Sequence, residues 1–413
     1  MKRNICLILT LVMVFSLSLF TLAADQVEIF SWWTGGGEEE GLQALYELFA
    51  EEYPDIEIIN ATVAGGAGSN AKAVLKTRMV GGNPPDSFQV HGGAELVDTY
   101  VKTGMMEPIT DLLEEWGIKD NFNQQILEMS GYNGEYYSIP VNVHRGNVMF
   151  YNKDILEKYD INEPTSTYTF IEALRKLDAN GVIALALGDT NKWPATHLFE
   201  DIMVATLGPI KYNGLWKGTT DFNDPGIKES LVVFAEILNY VNEDHAALTW
   251  QDASQRVFEG NAAFNVMGDW AEGYFKTLGW TPGEEFGWVS VPGTRGSFMV
   301  VTDTFGLPKN APNPEGAKAW LKTIASVAGQ DIFNPIKGSI PSRLDANKDL
   351  YDPYLTDSMN DFAECVLTPS IAHGSAAAEG FATALNDIIN QFVTTRNIED
   401  AIAQIQKAAE DYL

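Results

Sequence analysis

The side chains best equipped for chemistry stand beside glycines or at the ends of apolar runs. Trp32 and Trp33 close the run IFSWW and face Gly35-Gly36-Gly37, Trp250 opens WQDASQRVFEG, and Trp270 follows Gly268-Asp269. With them come Glu38, Gln89, His91, Asp269, Asp303, Lys337 and His373, again at element ends. Flat aromatic faces suit the C–H surface of a sugar ring, and carboxylate, amide, ammonium and imidazole groups suit its hydroxyls. Asp303 is singular because it interrupts an apolar run between Val301 and Phe305. An unpaired carboxylate there is costly, so a partner such as Lys337 or a ligand hydroxyl is expected. Simpler roles exist for the others: Glu38, Glu39 and Glu40 suit the positive end of their own helix, and His91 and His373 suit a core that satisfies them.

Other chemistries fit less well. Neither glycine loop, Gly35–Gly37 or AGGAGSN at 64–70, carries the lysine and hydroxyl of a phosphate loop or the spacing of a dinucleotide fingerprint. The histidines, His91, His144, His197, His245 and His373, show no paired ligand spacing, so neither metal nor cofactor is expected. No Gly-x-Ser-x-Gly nucleophile elbow occurs. Glycoside hydrolysis needs two carboxylates, one with a raised pKa, and 56 acidic residues keep that alternative open. A binder of a disaccharide or a polyol is a further alternative served by the same residue types.

The elements that must hold these groups follow from periodicity. A strand over Val27–Ser31, a helix from Glu38 to about Tyr53 and a strand over Ile56–Val63 form a β-α-β opening, which predicts a parallel sheet. Ligands of such sheets gather at strand carboxyl ends, where Trp32 and Trp33 lie. A strand over Asp86–Val90 places Gln89 and His91 on one face. A helix is expected over Ala94–Thr103, a hairpin around Asn133-Gly134, and single strands over Ala262–Met267 and Phe298–Leu307. Asn334–Ser339 reads as a loop, and Asn360–Leu413 as mostly helical apart from His373-Gly374-Ser375. The segments at 131–140 and 298–307 read as crossings between two α/β lobes.

The 413 residues, 45% of them hydrophobic, suffice for two cores. Lys and Arg number 27 against 56 Asp and Glu, a net charge of −29 that repels nucleic acid and anionic lipid and favours a neutral ligand. Residues 1–24 read as an export signal: Lys2 and Arg3, an apolar run from Ile5 to Phe20, and small residues near Ala23-Ala24. An uncleaved membrane anchor is the alternative, because Ile5–Leu22 approaches the roughly 18 residues that span a bilayer. Without that segment only Cys365 remains, which leaves no intrachain disulfide.

Taken together, IFSWW (29–33), NATVAGGAGSNAKAVLKTRMVGGNPPDSFQVH (60–91), PVNVHRGNVMFYN (140–152), LTWQDA (248–253), AAFNVMGDWAEGY (262–274), DTFGLPK (303–309), NPIKGSI (334–340) and AHG (372–374) resemble the extracellular solute-binding proteins of sugar ABC transporters, within them the glucose-binding type. The resemblance implies a two-lobed, type II-like periplasmic-binding α/β fold, each lobe a mixed sheet flanked by helices, joined by several hinge crossings. The expected lobes are 25–138 plus 304–340 and 139–303 plus 341–413. It implies no enzyme but an exported, periplasmic or extracytoplasmic monomer. Such a protein closes on one monosaccharide, D-glucose first and galactose or mannose next, and delivers it to a membrane permease. Carried over by position, the sugar contacts are Glu38 (or Glu39, if the loop is one residue longer), Gln89, His91, Trp250, Trp270, Asp303, Lys337 and His373, with Trp32 or Trp33 as a further wall. Trp250 would stack on the pyranose, while Asp303, Lys337, His91 and His373 would hold hydroxyls.

Overall fold

The computed structural model describes residues 25–413. The expected export signal, 1–24, lies outside the described residues. The chain opens on strand Asp25–Phe30, which pairs in parallel with Ile56–Asn60 on one side and Ser87–His91 on the other. Strand Asp303–Gly306 then joins antiparallel to Ser87–His91, and Ser138–Pro140 completes this five-stranded sheet. Helix Gly37–Glu52 returns the chain between the first two strands, burying Leu42, Leu45, Tyr46 and Phe49 along one stripe. The β-α-β opening is therefore parallel, as its periodicity predicts.

A second, four-stranded sheet is built from Phe286–Ser290, Val148–Asn152, Ala262–Val266 and Ile183–Ala186. A third, of three strands, joins Val366–Pro369, Ser297–Val301 and His144–Arg145. Helices flank all three, giving a mixed α/β fold of two lobes. The chain passes between the first sheet and the others at 140–144 and again at 301–303, and Val143 in the first crossing forms an antiparallel bridge with Ile340. Hairpin Gly131–Tyr136 turns at Asn133 and Gly134, both in the left-handed region that a type I′ turn requires.

Several expectations are corrected. Phe298–Leu307 is not one strand: Ser297–Val301 belongs to the three-stranded sheet and Asp303–Gly306 to the five-stranded one, with Thr302 between them. Periodicity cannot mark that break, since both halves are buried on both faces and neither alternates. Asn334–Ser339 is not a loop, because helix Val327–Lys337 carries Pro335 inside it and ends at Gly338 in the left-handed conformation. Gly338 is needed there twice over, as a Cβ would stand 2.5 Å from the backbone nitrogen of Gly273 on the facing helix Trp270–Thr277. Residues 95–101 form a wide π-helical turn instead of an α-helix, and Val366–Pro369 is a strand inside a stretch expected to be helical. Among the described residues, no helix is long and apolar enough to cross a membrane.

Beneath the first sheet, Phe305 is fully buried with its ring against the edges of Trp33 and Trp320. Truncating it leaves a cavity under the strand that carries Asp303. Phe305→Ala is expected to cost about 3–5 kcal/mol, read from urea unfolding; a loss under about 1 kcal/mol would show that this core relaxes around the gap.

Candidate ligand-binding site

Strand ends, helix starts and crossing segments converge on a small cavity of about 20 Å³. Its walls include Trp32, Trp33, Glu38, His91, Trp250, Trp270, Asp303, Lys337 and His373 of the expected set, together with Ala67, His144, Trp193 and Val301. Trp32 leans on His91 with ring centroids 4.9 Å apart, and Trp270 meets His373 at 4.9 Å and His144 at 5.3 Å, both edge to face. Trp33 points the other way in part, packing on Phe333 and Phe305. Trp250 opens its helix behind Thr249, whose side chain and that of Asp252 cap the first turn reciprocally.

Asp303 is 3% exposed and fully engaged. Its Oδ1 accepts from Gln89 Nε2 at 2.8 Å, its Oδ2 from Asn142 Nδ2 at 2.8 Å, and its own N–H donates to Asn142 Oδ1 at 2.8 Å. His91 Nε2 and His144 Nε2 stand 3.7 and 3.5 Å from the two oxygens. Burial alone would raise its pKa, but the His144 contact and the positive charge at His91, His144 and Lys337 outweigh burial and hold it well below the usual carboxylate range. The expected partner Lys337 is a correction: its ammonium pairs instead with Glu38 at 2.8 Å, between the rings of Trp33 and Trp270. Helix Val327–Lys337 packs along helix Gly37–Glu52, so Lys337 meets the first turn of its neighbour. Glu39 is exposed, whereas Glu38 faces the cavity.

Gln89 and Asp269, both expected at the ligand, do not line the cavity. Gln89 spends its amide on Asp303, the Ser31 hydroxyl at 2.7 Å and the Trp32 N–H at 3.1 Å, so it orients Asp303 and the Trp32 backbone. Asp269 takes the Arg145 N–H at 2.9 Å and the Nδ1 of His144, which fixes that ring. Both are fully buried behind the cavity wall, where their side chains orient groups that face it.

The imidazoles differ in state. His91 Nδ1 lies 3.0 Å from Glu95, which also receives Lys72 at 2.7 Å. Burial and Lys337 push His144 down, but the Asp269 charge and the contacts to Asp269 and Asp303 raise it above the ordinary imidazole value. Burial, then His197, His91 and Lys72, hold His373 well below it, against the pull of Asp303. Its loop is fixed by Glu200, which accepts from Ser370 Oγ at 2.7 Å and Ala372 N at 3.2 Å. The loop is also tied across the cleft, where Glu95 N donates to Gly374 O at 2.8 Å. Charges around the cavity are thus paired, and among the described residues no cluster of His, Cys, Asp or Glu could hold a metal ion.

Residues 35–331 match the family model of the bacterial extracellular solute-binding proteins. The chain belongs to that family. This solute-binding protein is 44% identical over 393 residues, 94% of this chain and 88% of the relative, to an uncharacterized ABC transporter extracellular-binding protein of Pyrococcus horikoshii. It is 30% identical to a probable sugar-binding periplasmic protein of Mesorhizobium japonicum, over the whole of both chains. A bacterial solute receptor with an exclusive substrate preference for β-D-galactopyranose superposes with a TM-score of 0.82 at 22% identity, covering 94% of this chain and 98% of that one. As a member of this family the protein is a binding component and not an enzyme, which removes glycoside hydrolysis. Asp303 agrees, since a glycosidase acid needs a raised pKa and this carboxyl is held low.

The solute-binding protein also shows what the sequence reading left out. His144 lies two residues beyond Asn142 in extended backbone, which puts both on one face, a usable signal. Trp193 follows the carboxyl end of strand Ile183–Ala186, where ligands of such sheets gather. Ala67 belongs to the AGGAGSN loop at another strand end, and Val301 carries no signal beyond its apolar type.

His373 gives a pH test. The unfolded imidazole takes up a proton as pH falls through about 6.5, while the native one does not, so its contribution to stability is full above that pH and is lost in acid. His144, raised in the fold, contributes in the opposite sense. Between about pH 7.5 and about pH 5.5 the urea midpoint should fall more in the wild type than in His373→Gln. Equal pH slopes would mean that His373 is charged in the folded protein.

Proposed function

We propose that this chain is the sugar-binding component of an ABC importer. In this reading it encloses one monosaccharide between its lobes, D-glucose first and galactose or mannose next, and hands it to a membrane permease. The observation that carries the reading is what one cavity brings together: it is faced by Trp32, Trp250 and Trp270, with Asp303, His91, Lys337 and Glu38 at its polar side. The free space within it is small, about 20 Å³, which sets a small ligand ahead of an oligosaccharide. Indoles at several sides leave flat faces for the ring, and paired charges give hydroxyls both donors and acceptors without selecting an ion. The sugar-binding relative and the galactopyranose receptor support the same ligand class.

The lobes proposed are 25–138 plus 304–340 and 139–303 plus 341–413, moving about the crossings as the site opens and closes. Export to the periplasm or an equivalent compartment, with residues 1–24 as the signal, and a monomeric state belong to the same proposal. A disaccharide or polyol ligand is the competing reading; the small cavity weighs against the disaccharide, and flat indole faces favour a ring over an open-chain polyol.

Calorimetric titration against D-glucose, galactose, mannose, maltose and sorbitol tests the ligand. A monosaccharide should bind saturably at one site per chain, and Asp303→Ala should weaken it about 100-fold or more, since each hydrogen bond to a charged group contributes roughly 1.5–3 kcal/mol. Silence with all three hexoses, or heat only with maltose or sorbitol, would reject the monosaccharide reading.

A further inference from the structure

Of the residues lining the cavity, Trp193 and His373 are the ones that hold a fully buried polar atom with no hydrogen-bond partner: the indole Nε1 of Trp193 and the Nε2 of His373. The two rings stand edge to face with centroids 5.1 Å apart, and their side chains belong to residues only 3% and 2% exposed. Buried polar groups are paired in the great majority of cases, so two unpaired ones in one wall call for a partner supplied from the cavity. The amides of Gln89 and Asn142 and the Nδ1 of His144 are by contrast engaged within the protein.

Trp193 is also held firmly in place. It begins helix Trp193–Trp216, its ring meets Trp270 and His197 at 6.1 Å each, and the loop at Gly66 approaches its Nε1. A Cβ on Gly66 would stand 3.3 Å from Trp193 Nε1 and 3.1 Å from Trp250 Cδ1, so glycine is what lets that backbone approach both indoles. The N–H is therefore fixed at the rim where Ala67 and Trp193 separate the cavity from a neighbouring one.

We propose that Trp193 is a specificity-determining residue, donating its indole N–H to one hydroxyl of the bound sugar while His373 Nε2 accepts from that same hydroxyl. The inference rests on the monosaccharide reading above. A sugar hydroxyl is one donor and an acceptor together, so it satisfies both atoms at once, and no apolar substituent or simple carbon does. The neutral state of His373 leaves one of its ring nitrogens free to accept. A sugar lacking that hydroxyl leaves both atoms unpaired again, and sites of this kind reject such analogues strongly.

The test is calorimetry of the wild type, Trp193→Phe and His373→Gln against D-glucose, or whichever of glucose, galactose and mannose the wild type binds, and each of its monodeoxy analogues. Phenylalanine keeps an aromatic wall between the two cavities and removes only the N–H, and urea midpoints confirm that the variants fold. The wild type should reject one analogue by at least about tenfold. Trp193→Phe should bind the parent hexose roughly 5- to 10-fold more weakly and close that one gap to about twofold, leaving the other analogues ranked as before. His373→Gln should close the same gap. The inference is overturned if the wild type's discrimination survives in Trp193→Phe at every position, or if the two variants relax different positions. Should the wild type bind no hexose, the monosaccharide reading falls and takes this inference with it; a wild type that binds hexose beside a Trp193→Phe variant of equal affinity sinks this inference alone.

Discussion

A carboxylate taken out of water at the meeting point of two sheets has to be surrounded by donors, and the arrangement around Asp303 follows from that demand. Its two oxygens draw on Gln89 from the first sheet and Asn142 from a crossing segment, with imidazoles of His91 and His144 next in range. Losing either amide would leave a buried charge partly unpaired, which costs far more than the hydrogen bond itself contributes when present. The positions of strand Ser87–His91, of residues 142–144 and of strand Asp303–Gly306 are thus tied to one another through a single side chain. Around this knot the indoles and the Glu38–Lys337 pair complete a wall whose charges balance, although the chain as a whole carries −29.

That arrangement divides the polar residues into those that face the cavity and those that serve them. Gln89 and Asp269 have the chemistry of ligand contacts but are consumed in orienting Asp303, Trp32 and His144. Asn142 and Glu200 do comparable work for Asp303 and for the loop of His373. Such supporting groups determine how little a contacting side chain can move, and so how sharply a site can tell one ligand from another.

Much of this was legible in the chain. The parallel opening followed from alternation and helical periodicity, and Asp303 followed from the cost of a charge inside an apolar run. Most of the cavity-facing set, Trp250, Trp270, His91, Lys337 and His373 among them, announced itself by standing at element ends. What stayed hidden depends on distance in three dimensions. Nothing in the local pattern says that Lys337 reaches Glu38 before Asp303, since the two lie 299 residues apart and meet only because their helices pack. Nor does it say that Trp193 joins the wall, because its role comes from the approach of a loop on the other lobe. The break at Thr302 escaped for another reason: hydrophobic run length reports burial and is blind to which sheet does the burying.

That break has a mechanical meaning. Strand Ser297–Val301 belongs to one sheet and Asp303–Gly306 to another, so in the proposed hinge motion a twist between the sheets would be taken up within a residue of the anchoring carboxylate. Turning the bodies apart would turn Asp303 relative to Asn142 or to Gln89 and loosen the donor cage as the cleft widens. On that proposal opening angle and grip on the ligand share one coordinate: a wide-open geometry would not keep a fully formed anchor, and release would be built into the same rotation that admits the next molecule.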